Sequence, residues 1–142
     1  MSEPPAGFEP HFRKSPVTEP WEPLYSRAGH RLLEIGTVLK AAHCNSRGFA
    51  HGGVIAALAD NAMGLSYGEG RRHDGIGIRE ATGALTVSLA LDYVATAKVG
   101  QWLQVSPRVL KAGRSMGFVD ALITADGETI ARASATFRII EP

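Results

Sequence analysis

Only one segment of this chain has the clear periodicity of an α-helix, and five other segments are predicted to be β-strands. In residues 53–67, five apolar side chains fall within an arc of about 100°. They are Val54, Ile55, Leu58, Ala62 and Leu65. One helix cannot cover a five-strand sheet on both faces. The sheet must therefore curl around the helix, and apolar surface that remains exposed must contact another subunit.

The strands are predicted from their alternation and from turn signals. Residues 31–43 form a first strand, and residues 85–93 alternate most clearly, with the odd-numbered side chains on one face. Pro107 lies in the next strand, residues 101–111, and indicates an edge or a bulge.

The last two strands, residues 119–125 and 131–139, flank Asp126-Gly127, a hairpin signal. We therefore expect an α+β fold. An antiparallel sheet of five to six strands, ending in a four-strand meander, would wrap around one long central helix.

Prolines and glycines divide the remaining chain. Six of the eight prolines lie in residues 1–23, and their fixed φ and missing N–H exclude a long helix or a central strand there. Residues 1–28 are therefore predicted to be an arm, with either a short helix around Pro16–Ser26 or an irregular tail. Residues 29–142 form the single domain, and residues 68–83, with five glycines, are expected to be a mobile loop.

Composition excludes several classes of protein. The formal net charge is +1, with no basic run to bind nucleic acid or a membrane surface. The single cysteine, Cys44, excludes an internal disulfide. The first residues lack the basic start and apolar run of a signal peptide, and no apolar stretch approaches the roughly 20 residues that span a bilayer. We expect a cytoplasmic enzyme or binding module.

The segment from Asn45 to Asn61 carries the strongest chemical signal. His51-Gly52-Gly53 stands directly before the helix, and Asp60 lies two turns into it. Glycines let the backbone approach a ligand, and a helix start offers unpaired N–H groups at a positive dipole end. Such a start can stabilise an oxyanion, and Asp60 can act as a base or a nucleophile.

Other chemistries lack support in the sequence. None of the five histidines stands at metal-ligand spacing from another ligand, so no metal is expected. No sequence signal places a base beside Cys44, which argues against a thiol nucleophile.

The pattern Asn-x5-His-Gly-Gly-x6-Asp resembles the hotdog-fold acyl-CoA thioesterases of the phenylacetyl-CoA thioesterase and acyl-CoA thioesterase 13 type. The resemblance extends over about residues 30–140 and includes the strand end Asp92-Tyr93-Val94. It implies a hotdog fold, hydrolysis of an aryl- or fatty acyl-CoA, and no cofactor beyond the coenzyme A of the substrate. It also implies a homodimer or homotetramer with shared active sites.

The resemblance also implies roles for single residues. Gly52 would polarise the thioester carbonyl through its N–H, His51 would orient the substrate, and Asn45 would hold the attacking water or the thioester. Asp60 would be the general base or the nucleophile, and Thr86 would fix the water near it.

The remaining implied contacts concern the substrate. Gly53 and Asn61 would add contacts beside the catalytic residues, and Gly113-Arg114-Ser115 would meet the nucleotide end of coenzyme A. Structural alternatives stay open: His51 as a helix-entry residue, Asn45 as a turn residue, Thr86 as a strand-surface residue and Arg114 as a solvated arginine.

Helix geometry adds an argument that does not depend on the resemblance. Gly52 and Asp60 are eight residues apart, which is roughly 12 Å along a helix axis, whereas a base must lie within about 3 Å of the group it serves. If both act on one carbonyl, the site combines Gly52 of one chain with Asp60 of another. The alternatives to a thioesterase are a hotdog hydratase or dehydratase and a non-catalytic acyl-CoA-binding module.

Overall fold

The computed structural model describes residues 2–76 and 83–140. Its strands are β1 (Glu9–Pro10), β2 (Tyr25–Gly29), β3 (Leu32–Val38), β4 (Gly83–Tyr93), β5 (Trp102–Ala112), β6 (Met116–Ala125) and β7 (Glu128–Ile140), with one α-helix, α1 (Gly52–His73). They form one antiparallel seven-stranded sheet in the order β1-β2-β3-β5-β6-β7-β4. The sheet wraps around α1, which confirms the predicted hotdog architecture.

Strand number and order differ from the expectation. Residues 31–43 were predicted as one strand, but the strand is Leu32–Val38 and a 3₁₀ turn follows at Ala41–His43. Tyr25–Gly29 pairs with it as a hairpin, so this part of the predicted arm belongs to the sheet. The predicted meander is wrong at β4, which pairs with β7 at the far edge instead of with β5.

The helix is longer than its periodicity suggests. It continues to His73, through residues predicted to lie in the loop, and residues 77–82 of that loop lie outside the described residues. Gly70 is a packing position, because a Cβ there would lie 2.9 Å from the Ala112 Cβ. The glycine lets α1 approach β5 closely and does not break the helix.

The buried face of α1 also differs from the predicted arc. Ile55, Leu58 and Ala62 are buried as expected, but Met63 and Tyr67 are fully buried beside them. The Tyr67 ring packs on the Gly117 backbone and stacks with Phe137. Leu65 is only partly buried. The side of α1 that carries Ala56, Asp60 and Gly64 is incompletely covered, and Asp60 lies there between two small residues.

Two turn and edge signals are explained by the pairing. Asp126 and Gly127 have φ of 48° and 85°, the positive values of the tight hairpin turn that joins β6 to β7. Pro107 lies just beyond the residues of β5 that pair with β3, Trp102 to Val105. From that point β5 pairs only with β6. Its other side is an edge, where a strand tolerates proline.

A β-bulge in β4 changes which side chains face the helix. The register shifts between Thr86 and Ser88, so the predicted single alternation from Leu85 to Tyr93 does not hold. Thr86 pairs with the buried Phe137 and faces α1, as Leu89 does opposite Ala135. Leu85 pairs with Arg138 on the outer face.

The arm is docked on the sheet. Glu9 and Pro10 pair with Ser26 and Tyr25, and Phe8 packs edge-on against Trp102 with centroids 5.0 Å apart. Where the sequence allows a short helix or an irregular tail, the structure has a 3₁₀ turn at Glu19–Trp21.

Candidate active site

The N-terminus of α1 presents an open backbone donor. His51 is the N-cap, with extended backbone angles, and its Nδ1 accepts the Gly53 N–H at 2.9 Å. The neutral ring therefore carries its proton on Nε2. Gly53 has no N–H left for a substrate, whereas the Gly52 N–H has no acceptor among the described residues. The position of Gly52 suits a donor to an oxyanion.

Tyr93 joins this helix start to β4. Its hydroxyl donates to the Gly52 carbonyl at 2.5 Å, and a Cβ on Gly52 would lie 3.4 Å from its ring. Burial raises the pKa of the Tyr93 hydroxyl, which keeps it a donor at neutral pH. The sequence shows Tyr93 only as the end of a strand and contains no signal for this contact.

Asn45 shapes the loop that leads into α1. Its Oδ1 accepts the N–H groups of Arg47 at 2.9 Å and Phe49 at 3.2 Å. The loop is tied to the connection between β4 and β5 by the Ala50 N–H, which donates to the Ala97 carbonyl at 2.8 Å. Asn45 is thus a turn-forming residue in this chain, and its exposed side chain has only the Nδ2 group left for a ligand.

Asp60 and Thr86 are brought together, although 26 residues separate them in sequence. The Thr86 Oγ1 donates to the Asp60 Oδ1 at 2.7 Å. The bulge in β4 is the cause, because it turns Thr86 toward the helix. No described residue bonds to the second Asp60 oxygen, which is therefore available to a water or a substrate.

A cavity of about 170 Å³ lies beside this pair. Asn61, for which the family resemblance implies a substrate contact, lies in its wall. The whole wall consists of Arg13, Asp60, Asn61, Gly64, Leu65, Ala84, Thr86 and Phe137. Arg13 was missed by sequence analysis, because nothing in the arm indicates where it docks.

The turn Gly113-Arg114-Ser115 lies at the other end of α1. The Gly113 carbonyl accepts the Tyr67 hydroxyl at 2.8 Å, and the Arg114 carbonyl accepts Arg71 Nη2 at 3.1 Å. Arg71 lies eleven residues beyond Asp60 in sequence, which is roughly 16 Å along the helix. The backbone of the turn is fixed, and the Arg114 side chain is exposed.

A larger groove, of about 580 Å³, lies on the outer face of the sheet, opposite α1. Its charges are already paired, with Arg132 Nε 2.9 Å from Asp92 Oδ2 and Arg108 Nη2 3.8 Å from Asp120 Oδ2. It contains neither the helix start nor Asp60, so the smaller cavity is the better candidate for chemistry.

Other reactive groups give no competing site. Burial raises the pKa of the Cys44 thiol, which disfavours the nucleophilic thiolate. Across residues 2–76 and 83–140, no three His, Cys, Asp or Glu side chains are grouped as metal ligands would be. No helix in those same ranges is both long and apolar enough to cross a membrane.

The family model and the relatives that match this chain are all named as esterases or thioesterases. The Thioesterase superfamily matches residues 47–131. A Pseudomonas aeruginosa protein named as an esterase is 35% identical over 136 residues, which cover 95% of this chain and 96% of the relative. Acyl-coenzyme A thioesterase 13 of Homo sapiens is 34% identical over 98 residues, covering 66% of this chain and 63% of the relative.

Solved structures show the same fold. The zebrafish thioesterase superfamily member 2 has a TM-score of 0.75 at 22% identity, with 87% of each chain covered. The chain belongs to the thioesterase superfamily and is a thioester hydrolase, as the sequence predicts.

Proposed function

We propose that this protein hydrolyses an acyl-CoA thioester to the free acid and coenzyme A. The observation that carries the proposal is the Asp60 carboxylate, held by Thr86 at 2.7 Å in a cavity beside α1. The same helix begins at Gly52, whose N–H finds no acceptor in the described part of the chain. A relative that is 34% identical is named an acyl-coenzyme A thioesterase, which favours coenzyme A as the thiol.

The reaction follows from these groups. The Gly52 N–H donates to the thioester oxygen and stabilises the negative charge that develops there. Asp60 either removes a proton from a water that attacks the carbonyl carbon or attacks that carbon itself. In the first route the C–S bond breaks as the proton that Asp60 took from water passes to the sulfur, which leaves as coenzyme A. In the second route the thiolate leaves as an acyl–Asp60 anhydride forms. Water then hydrolyses this anhydride, which releases the acid, restores the Asp60 carboxylate and supplies the proton for the thiolate.

We infer that each site is built from two chains. Gly52 and Asp60 lie on one unbroken helix, so side-chain motion cannot close the roughly 12 Å between them. Strand β4 is an edge strand of 11 residues, and three of its apolar side chains, Val87, Leu89 and Tyr93, are 53%, 36% and 48% exposed. Long apolar edges are normally covered. A second copy would cover this edge in a homodimer, two of which could form a homotetramer.

The remaining proposed contacts are with the substrate. His51 and Asn45 flank the helix start and would orient the thioester, His51 through Nε2–H and Asn45 through Nδ2. Arg114 would pair with a phosphate at the nucleotide end of coenzyme A, in a turn whose Gly113 and Ser115 carbonyls bond to Tyr67 and Ile139.

Replacement of Asp60 tests the proposal. Asp60→Asn keeps the size of the side chain and removes the base, so kcat for thiol release from acyl-CoA should fall by about 10²–10⁴. Asp92→Asn is the matched control, because Asp92 lies on the outer face and pairs with Arg132. Turnover by Asp60→Asn at the rate of the unmodified protein would make Asp60 a structural carboxylate and remove the main support for this mechanism.

A further inference from the structure

The arm places a cation in the wall of the Asp60 cavity. Arg13 lines this cavity together with Asp60 and Thr86. Its neighbours are anchored: the His11 N–H donates to the Leu24 carbonyl at 2.9 Å, and Lys14 Nζ lies 3.0 Å from Glu22 Oε1. The position of Arg13 is therefore set by the docked arm.

The cavity is a small depression, of about 170 Å³, that is open to solvent on one side. Arg13 and Asp60 both line it, so only a short path separates the carboxylate from the cation. An acyl group whose carbonyl lies at Asp60 therefore reaches Arg13 with a short chain.

The charges in the wall favour an acyl group that ends in a carboxylate. The cavity contains the Asp60 carboxylate, which would repel a second carboxylate if it were the only charge there. Arg13 forms none of the ion pairs found among the described residues. Its guanidinium can bind a carboxylate through two parallel hydrogen bonds.

We propose that Arg13 is a specificity-determining residue that selects a short acyl group ending in a carboxylate. The substrate class is then the mono-CoA thioester of a short dicarboxylic acid. This inference rests on the proposed function, because it takes the cavity beside Asp60 to be the acyl pocket. The cation of Arg13 offsets the repulsion between the acyl carboxylate and Asp60.

Two substrates of equal chain length test the inference. Glutaryl-CoA and pentanoyl-CoA differ in the terminal carboxylate, so the ratio of their kcat/KM values measures its recognition. Arg13→Gln removes the charged hydrogen bonds to the acyl carboxylate. Because such bonds contribute substantially to binding, the glutaryl-to-pentanoyl ratio of kcat/KM should fall about tenfold or more. Arg13→Lys, which keeps the charge but not the paired donors, should lower it less.

The matched control removes the same charge elsewhere. Arg108 lies on the outer face with its side chain 75% exposed, so Arg108→Gln should leave the ratio as it is in the unmodified protein. An unchanged ratio in Arg13→Gln, including an equal loss with both esters, would overturn the inference. An equal loss would mean that Arg13 acts on Asp60 or on the coenzyme A common to both substrates.

Binding separates this inference from the proposed function. In an Asp60→Asn background, calorimetry should show that Arg13→Gln weakens glutaryl-CoA relative to pentanoyl-CoA by a similar factor. Equal weakening of both esters, or none, would overturn the role of Arg13 without reference to turnover. Absence of thiol release from every acyl-CoA by the unmodified protein would instead count against the proposed hydrolysis, while the binding ratio would still decide the role of Arg13.

Discussion

The two-chain site can be tested by mixing two inactive variants. Asp60→Asn removes the carboxylate, and Gly52→Pro removes the Gly52 N–H without touching Asp60. The structure can accommodate proline at position 52. Gly52 is the first residue of α1, and its N–H has no acceptor among the described residues. The preceding His51 has φ of −69° and ψ of 132°, which is compatible with a following proline.

The expected recovery follows from counting sites. Loss of one oxyanion donor lowers kcat by about 10²–10³, and loss of the base by about 10²–10⁴, so each variant alone retains at most about one per cent. After random exchange of equal amounts, about half of the dimers are mixed, and each mixed dimer has one intact site of two. Thiol release should therefore recover to about a quarter of the unmodified rate, at least about 25-fold above either parent.

A second mixture is the matched control. Thr86 bonds to Asp60 of its own chain, so every site takes both residues from one chain, and mixing Asp60→Asn with Thr86→Val creates no site in which both are intact. Its activity should equal the mean of the two parents. Native mass spectrometry reports whether subunits have exchanged and whether Gly52→Pro still assembles. Full exchange with activity no higher than the mean of the parents in the first mixture would refute the shared site.

Two further predictions concern the buried histidines and Arg114. Burial lowers the pKa of His11, with the Glu22 carboxylate opposing and Lys14 and Arg13 adding to the effect, and burial also lowers the pKa of His43. The unfolded chain then binds more protons below about pH 6.5, so the free energy of unfolding should be full above that pH and decrease as the pH falls below it. Both ring nitrogens of His11 are buried without a partner in the described chain, so His11→Leu should not destabilise and should weaken this acid dependence. His43→Leu should cost about 1–3 kcal/mol, because it leaves Lys40 N–H and the Trp21 carbonyl unpaired; thermal melts across pH measure both, and a larger loss for His11→Leu than for His43→Leu would contradict the assignment. Arg114→Ala should raise KM for acyl-CoA about two- to fivefold with little change in kcat, the scale of an exposed ion pair, whereas Arg108→Ala should not; equal KM values would make Arg114 a solvated turn residue.

The fold was predictable where the signal is local. The alternation of residues 119–125 and 131–139 and the Asp126-Gly127 turn indicate a hairpin, and β6 and β7 form it. Pairings at long range were not predictable in this way. Strand β4 ends only nine residues before β5 begins, yet it pairs with β7. In the sheet that wraps around α1, β3 and β6 flank β5, so β4 lies instead beside β7 at the end of the sheet.

In the candidate site, too, local features were predictable from the sequence and long-range contacts were not. Gly52 and Asp60 are set eight residues apart on one helix, so their separation follows from helix geometry alone. Two chains are needed only if both residues act on one carbonyl. The Thr86 contact needs a bulge that shifts the phase of β4, and strand alternation placed Thr86 on the opposite face from Leu89. Arg13 reaches the cavity only because the arm docks on the domain. The prolines of the arm exclude a long helix or a central strand but do not indicate where the arm docks. The chemistry that is common to a family can therefore be encoded in one helix, whereas the residues that would choose the acyl group come from distant segments and become visible only once the chain is folded.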